Sequence, residues 1–217
     1  RGYPVDRRPI ASRGTKWANA LAKYLSKKNI SPNQISLISV GFSIFTFIFY
    51  SVAKTNSVVL ILAALFIQLR LICNLLDGMV AIEYNKKSIY GNLFNDIPDR
   101  FADVFIIMGA GFYAYHCEKS FSYSLELAWG NAILAVLTAY IRVLGASLRT
   151  PMFFSGIMAK PQRMALLTIT SFLALIPQNS IPFFSIALVL MFAGQCITVI
   201  QRIRLISLDL KLRNKNE

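Results

Sequence analysis

The sequence predicts an all-α integral membrane protein, with six transmembrane helices preceded by an N-terminal interfacial amphipathic helix. Three observations lead there. The 217 residues are 55% hydrophobic with a mean hydropathy of +0.53, and only 15% are charged, against about 25% in an ordinary soluble domain. Six apolar segments, at about 33–53, 57–81, 93–115, 126–148, 162–178 and 181–201, each approach the roughly 20 residues that a helix needs to cross a bilayer. Basic residues alternate between the two sides of these segments. A soluble protein with one large core is the competing reading, and the long charge-poor runs disfavour it.

Residues 1–30 read as a juxtamembrane amphipathic segment. Trp17, Leu21, Tyr24 and Leu25 recur at helical spacing, with Lys16, Lys23, Lys27 and Lys28 beside them. An apolar stripe with a lysine-rich polar face suits a helix lying on anionic lipid; a soluble capping helix is the alternative. Residues 31–205 hold the six spans, with Pro32 opening the first and Pro177 to Pro182 marking a tight turn before the last. Residues 206–217 form a basic cytoplasmic tail. No low-complexity segment, soluble domain or clear internal repeat is visible. A cleavable signal peptide is not expected behind a basic, amphipathic N-terminus. The first residue is Arg rather than Met, so a trimmed start is expected.

Lysines and arginines set the topology. Eight precede the first span, two follow the second, three follow the fourth and five lie in the tail, so 18 share one side. Only Lys54 and Lys119 lie on the other, while Arg70, Arg100 and Arg142 fall within spans. This places both termini in the cytoplasm of a multi-pass inner (cytoplasmic) membrane protein. The net charge of +13 then reflects topology and contact with anionic lipid rather than nucleic-acid binding. Cys73, Cys117 and Cys196 show neither metal-ligand nor disulfide spacing. His116 is the only histidine, which leaves zinc chemistry and Ser-His-Asp catalysis little to work with.

The chemistry concentrates in an acidic cluster: Asp77, Glu83, Asp96, Asp99 and Asp103, five of ten acidic residues. Carboxylates inside spans are costly and mark polar, functional cavities. Asn74, Asp77 and Ala81 share one helical face, and Gly78 and Ala81 remove bulk beside Asp77. Asn95, Asp99 and Asp103 form a second ridge with Asp96 on its flank. Carboxylates converging from two helices can hold Mg²⁺ or Mn²⁺, and a two-ion site would clamp a phosphate. The alternative is a set of buried ion pairs joining Asp99 or Asp103 to Arg100, Arg70 or Arg142. Asp96 can instead cap a helix start near Pro98, and Glu83 reads as a loop charge. Arg142, Arg149, Lys160 and Arg163 form a basic group able to hold the phosphate of an acceptor alcohol or lipid; positive-inside topology alone is the alternative.

Asp77-Gly78, Ala81, Gly91 and Asp99 fall at the spacings of D-x2-D-G-x2-A-R-x8-G-x3-D-x3-D. The chain thereby resembles the CDP-alcohol phosphotransferase (CDP-alcohol phosphatidyltransferase) family. The six-span layout, the N-terminal surface helix and Ser31-Pro32-Asn33-Gln34 are similar as well. Asn74, Ile82 and Asn95 stand where that pattern has Asp, Arg and Asp.

The resemblance implies a divalent-metal-dependent transferase of phospholipid biosynthesis. It would move a phosphatidyl group from a CDP-diacylglycerol-type donor to a small alcohol acceptor, in some members a phosphorylated one, with release of CMP. Asp77 would be a metal ligand and Asp99 the general base or a metal-site carboxylate. Gly78, Ala81 and Gly91 would line the nucleotide pocket. Asn74 and Asn95 would offer carbonyl oxygens without charge, weakening a site for two Mg²⁺ or Mn²⁺ ions, and Asp96 or Asp103 would compensate. In an alternative register, Asp99 and Asp103 form the D-x3-D pair. A homodimer is implied too. Two other readings stay open: a non-catalytic scaffold or lipid-binding relative, and a small transporter relaying ions through Asp77, Asp99 and Asp103.

Overall fold

The computed structural model describes residues 11–86, 89–118, 122–176 and 181–214. These form a 3-10 turn, Ala11–Gly14, and seven α-helices: α1 Lys16–Lys27, α2 Pro32–Val52, α3 Val59–Glu83, α4 Gly91–Cys117, α5 Ser124–Ser147, α6 Lys160–Leu173 and α7 Phe183–Asn214. No strand occurs among the described residues. Arg1, Arg7, Arg8, Lys87, Lys119 and Lys215 of the charge count lie outside them, as does most of the turn expected at Pro177 to Pro182.

Local chemistry sets the helix ends. Asn29, with φ 57°, turns the chain after α1. Ser31 and Gln34 then form a capping box: the Gln34 backbone N–H donates to Ser31 Oγ at 3.2 Å, and the Ser31 N–H donates to Gln34 Oε1 at 2.8 Å. Pro32 occupies the first turn of α2, where its missing N–H costs nothing. Pro161 does the same at the start of α6. The start of α7 is capped from another helix. Glu118, just past α4, accepts the N–H groups of Phe184 and Ser185 at 2.7 Å each and the Ser185 hydroxyl at 2.9 Å. Burial raises the Glu118 carboxyl above its ordinary range, and these three donors oppose the shift.

All six expected apolar segments become helices. By length and composition, α2, α3, α5 and α7 can each cross a membrane. Helix α4 is 27 residues long but carries Asp96, Asp99, Arg100 and Asp103 in its first half. Helix α6 has 14 residues, fewer than the roughly 20 of a perpendicular crossing. Helix α7 continues well past 201 to Asn214, so the expected boundary at 205/206 falls inside it. Arg202, counted in the tail from sequence, is buried there and donates to the carbonyls of Thr138, Phe154 and Ser155.

Packing is inverted relative to a water-soluble bundle. Leu37, Ile38, Ile44, Phe45 and Ile48 of α2 face outward, while Ser36, Ser39, Ser43 and Thr46 are buried. Hydroxyls satisfied within the helix (Ser43 to the Ser39 carbonyl at 2.9 Å, Thr46 to the Phe42 carbonyl at 2.9 Å) let α2 lie close against α3 and α4. Helices α5 and α7 are joined by a buried amide pair: Asn131 donates to the Leu188 carbonyl at 2.9 Å, and Gln195 donates to Asn131 Oδ1 at 2.7 Å. Together these features identify a multi-pass helical membrane protein. Helix α1 buries Ala18 and Ala22 against Leu76, Met79 and Val80 of α3, and leaves Trp17, Leu21 and Tyr24 exposed.

Two glycines of α4 are contact points. A Cβ on Gly109 would lie 2.9 Å from the Phe47 Cα, and one on Gly111 would lie 2.2 Å from the Ala128 Cβ. Ala128 has no rotamer through which to withdraw. Gly111→Ala is therefore expected to force α4 and α5 apart at a cost of about 1–3 kcal/mol, read as a lower thermal unfolding midpoint in detergent.

Candidate active site

Four helices deliver charged groups to one region. Helix α3 carries Arg70, Asn74 and Asp77 at spacings of four and three, hence on one face. Helix α4 adds Asp96, Asp99 and Asp103 from its first half. Helix α6 adds Lys160 and Arg163 from its first turn, and Arg142 comes from late in α5.

The deepest part is a closed ion-pair cluster. Asp103 is 1% exposed, and its two oxygens go to Arg70 Nη2 at 2.5 Å and Arg163 Nη2 at 2.6 Å. Those arginines are themselves 0% and 2% exposed. Arg163 also donates to the Met158 carbonyl at 3.2 Å. Asp103 thus takes the buried-ion-pair alternative, and the Arg163 guanidinium points inward to it.

Asp99 sits nearer the surface. Asn74 Nδ2 donates to its Oδ1 at 2.6 Å, Lys160 Nζ donates to its Oδ2 at 2.5 Å, and Arg70 and Arg100 stand at 3.5 and 3.6 Å. Asp77 is held apart: Ser36 Oγ donates to its Oδ2 at 2.8 Å, and the Gly78 N–H contacts its Oδ1 at 2.6 Å. Asp96 pairs with Arg142 at 2.9 Å, and Arg142 also lies over the Phe154 ring. It is thereby drawn toward α5 rather than to Asp77 and Asp99. Asn95 and Arg149 are exposed. Among the described residues, no three His, Cys, Asp or Glu side chains are grouped to hold a metal ion.

Gly78 and Gly91 differ in kind from the glycines of the helix contacts. Only the Arg13 guanidinium, at 4.0 Å, approaches a Cβ built on Gly78, and nothing lies within 4 Å of one on Gly91. Both border open space beside Asp77 and the start of α4. Ala81 is half-buried close by, whereas Ile82 is exposed.

The oxygens that could hold a hard cation are those of Asn74 and Asp77. Because Asn74 Nδ2 is committed to Asp99, the amide's Oδ1 is turned the other way, and that atom is buried without a hydrogen-bond partner. It lies one helical turn from the Asp77 carboxylate. An orphaned amide oxygen and a carboxylate on one helical face are donors of the kind that Mg²⁺ and Mn²⁺ prefer.

The sequence expectation put Asn74, Asp77, Asn95, Asp96 and Asp99 at one metal site and named Arg70 only within the ion-pair alternative; the structure joins Asn74 to Asp99, pairs Asp96 with Arg142 and leaves Asn95 exposed. Sequence reading missed Ser36, whose signal was the Ser36, Ser39, Ser43 and Thr46 stripe of small polar residues at helical spacing within an apolar run. It also missed Arg13, which carried no signal above a generally basic N-terminus.

A sequence model of the CDP-alcohol phosphatidyltransferase family matches residues 29–200. No curated protein sequence matches the chain. The fold is similar to phosphatidylinositol phosphate synthase of Mycobacterium tuberculosis solved with CDP-DAG bound, with a TM-score of 0.74 and 15% identity over 88% of this chain and 94% of that one. It is also similar to the manganese and citrate complex of that enzyme, with a TM-score of 0.72 and 15% identity over 87% of this chain and 88% of that one.

Asp103→Asn is expected to leave Arg70 and Arg163 as uncompensated buried charges. The loss should be about 3–5 kcal/mol, seen as a large drop in the unfolding midpoint in detergent. Asp96→Asn, at a more open pair, should shift it by no more than about 1 kcal/mol.

Proposed function

Because the chain belongs to the CDP-alcohol phosphatidyltransferase family, and so is a membrane transferase of phospholipid biosynthesis, we propose that it transfers a phosphatidyl group from CDP-diacylglycerol to a small alcohol. The reaction forms a bond from the acceptor oxygen to the β-phosphorus. It breaks the bond from that phosphorus to the bridging oxygen, which departs with CMP. The observation that carries this reading is Asp99, held by Asn74 and Lys160 at the less buried end of the charge cluster.

In this reading Asp99 takes the proton of the acceptor hydroxyl. Asn74 and Lys160 fix its carboxylate, so that it meets the hydroxyl without first reorienting. Gly78, Ala81 and Gly91 leave room for the nucleotide. Arg142 and Arg149 would meet the acceptor, a phosphorylated one included. Asp77 and Asn74 would hold a divalent cation, Mg²⁺ or Mn²⁺, whose charge would offset that of the diphosphate. Asp103 serves as the structural counter-ion of Arg70 and Arg163.

The same reading assigns residues 31–205 to a six-span catalytic bundle in the inner membrane, with both termini cytoplasmic and the chain paired as a homodimer. Helices α4 and α6 supply the two spans that composition alone does not identify. Helix α1 would lie on the membrane surface, with Trp17, Leu21 and Tyr24 in the lipid interface, and residues 206–217 would form the basic tail.

Purified protein in detergent, given CDP-diacylglycerol, Mn²⁺ or Mg²⁺ and a panel of alcohols, is expected to release CMP with at least one acceptor. Asp99→Asn should lower that release by at least about 100-fold without changing the unfolding midpoint by a comparable degree. If no acceptor in the panel gives metal-dependent CMP release, the transferase mechanism is overturned. Tight binding of the CDP-lipid without release would support the scaffold reading, and flux across sealed vesicles the transporter. Topology has its own check. In intact cells a membrane-impermeant thiol reagent should label Thr55→Cys directly, and Asn214→Cys only after permeabilisation.

A further inference from the structure

The signature that this chain resembles has four carboxylates, two of which are Asn74 and Asn95 here. The structure shows what stands around the remaining two. Beside Asp99 Oδ2 is the Lys160 ammonium at 2.5 Å, itself 14% exposed and carried on the first residue of α6. A lysine ammonium is a compact point charge, and it occupies the side of Asp99 that a second metal ion would need. The other oxygen of Asp99 is taken by Asn74 Nδ2 at 2.6 Å, with Arg70 at 3.5 Å. Asp103 cannot be recruited, because both of its oxygens are committed to buried arginines. Asp96 is drawn aside by Arg142, and Asn95 is exposed.

Charge points the same way. Asp99 already faces three cations, Lys160 at 2.5 Å, Arg70 at 3.5 Å and Arg100 at 3.6 Å. A second divalent ion set against it would add two positive charges to a largely buried and already cationic side, which is costly. The acceptor left over is Asn74 Oδ1, buried and without a hydrogen-bond partner. Asp77, three residues on along α3, accepts only neutral donors, Ser36 Oγ and the Gly78 N–H, and keeps lone pairs for a cation.

We infer that this chain has a hybrid cation centre: one divalent ion at Asn74 Oδ1 and Asp77, with the Lys160 ammonium standing beside Asp99 in place of a second ion. The inference rests on the transferase reading for the diphosphate. For the cation itself it rests only on residues of this chain.

The test uses the full chain in detergent with Mn²⁺ as the probe and CDP present. Bound metal is counted after gel filtration, and the spin state is read by electron paramagnetic resonance. One Mn²⁺ per chain, with the spectrum of an isolated ion, is expected. Asp77→Asn should weaken binding at least about tenfold. The triple variant Asn74→Asp, Asn95→Asp, Lys160→Met should take up a second ion and give a spin-coupled spectrum. Two coupled ions in the unaltered chain would overturn the inference, as would no bound Mn²⁺ at all. Because the unaltered chain decides, a variant that fails to fold does not blunt the test. CMP release measured on the same samples separates the two readings. Release with two ions bound would sink the hybrid centre and leave the transferase standing; one ion without release would do the reverse.

Discussion

Asp103 between Arg70 and Arg163 is the interaction on which the rest of the site depends. Three charges taken out of water are expensive unless each meets a partner, and here one carboxylate serves two guanidiniums from different helices. The arrangement pins α3, α4 and α6 to one another at the end of the bundle that carries the other charges. It fixes the register in which Asn74 meets Asp99, because Arg70 lies one turn before Asn74 on the same face of α3. It also fixes the first turn of α6, and through it Lys160. A charge cluster of this kind sets specificity of assembly at the expense of stability, so the surrounding bundle must be held by other means.

Those means are close packing and internal hydrogen bonds. In lipid there is little hydrophobic gain in bringing helices together, and contact area between small residues takes its place. The serine and threonine stripe of α2, the glycines at 109 and 111, and the Asn131–Gln195 pair between α5 and α7 all follow from this. Glu118 belongs to the same scheme at the far end of α4, where its carboxylate satisfies backbone groups at the start of α7. The result is a bundle whose polar atoms face inward at both ends and whose aliphatic side chains face the lipid.

Family membership supplies the reaction class, and the local chemistry shows how this chain departs from the shared pattern. Replacing an aspartate by asparagine at position 74 removes a charge but adds a donor. That donor is spent on Asp99, which leaves the asparagine oxygen facing the other way. A basic side chain from α6 then reaches the carboxylate from the opposite side. Asn74 and Lys160 therefore act on one carboxylate, from its two oxygens.

The sequence by itself determined the helical membrane class, the six helical segments and the faces of α3 and α4 that carry Asn74, Asp77 and Asp99. Each of these depends on periodicity and on the cost of charge in an apolar run, and both are local properties of the chain. It read all six as spans, but among the observed helices only α2, α3, α5 and α7 are long and apolar enough to cross by length and composition, since α4 carries the site's charges and α6 is short. It placed Arg202 in a tail and Arg163 in a ligand pocket, because a count of basic residues cannot see which carbonyl or carboxylate will face them. Only the tertiary structure decided that Asp103 is locked away while Asp99 stays accessible. Both aspartates lie on one ridge of α4, one turn apart, with the same chemistry. What separates them is depth, and depth is set by which helices close over each residue. The acidic cluster was legible as a site from its spacing, but the division of labour within it was settled by Arg70, Lys160 and Arg163 arriving from elsewhere in the chain.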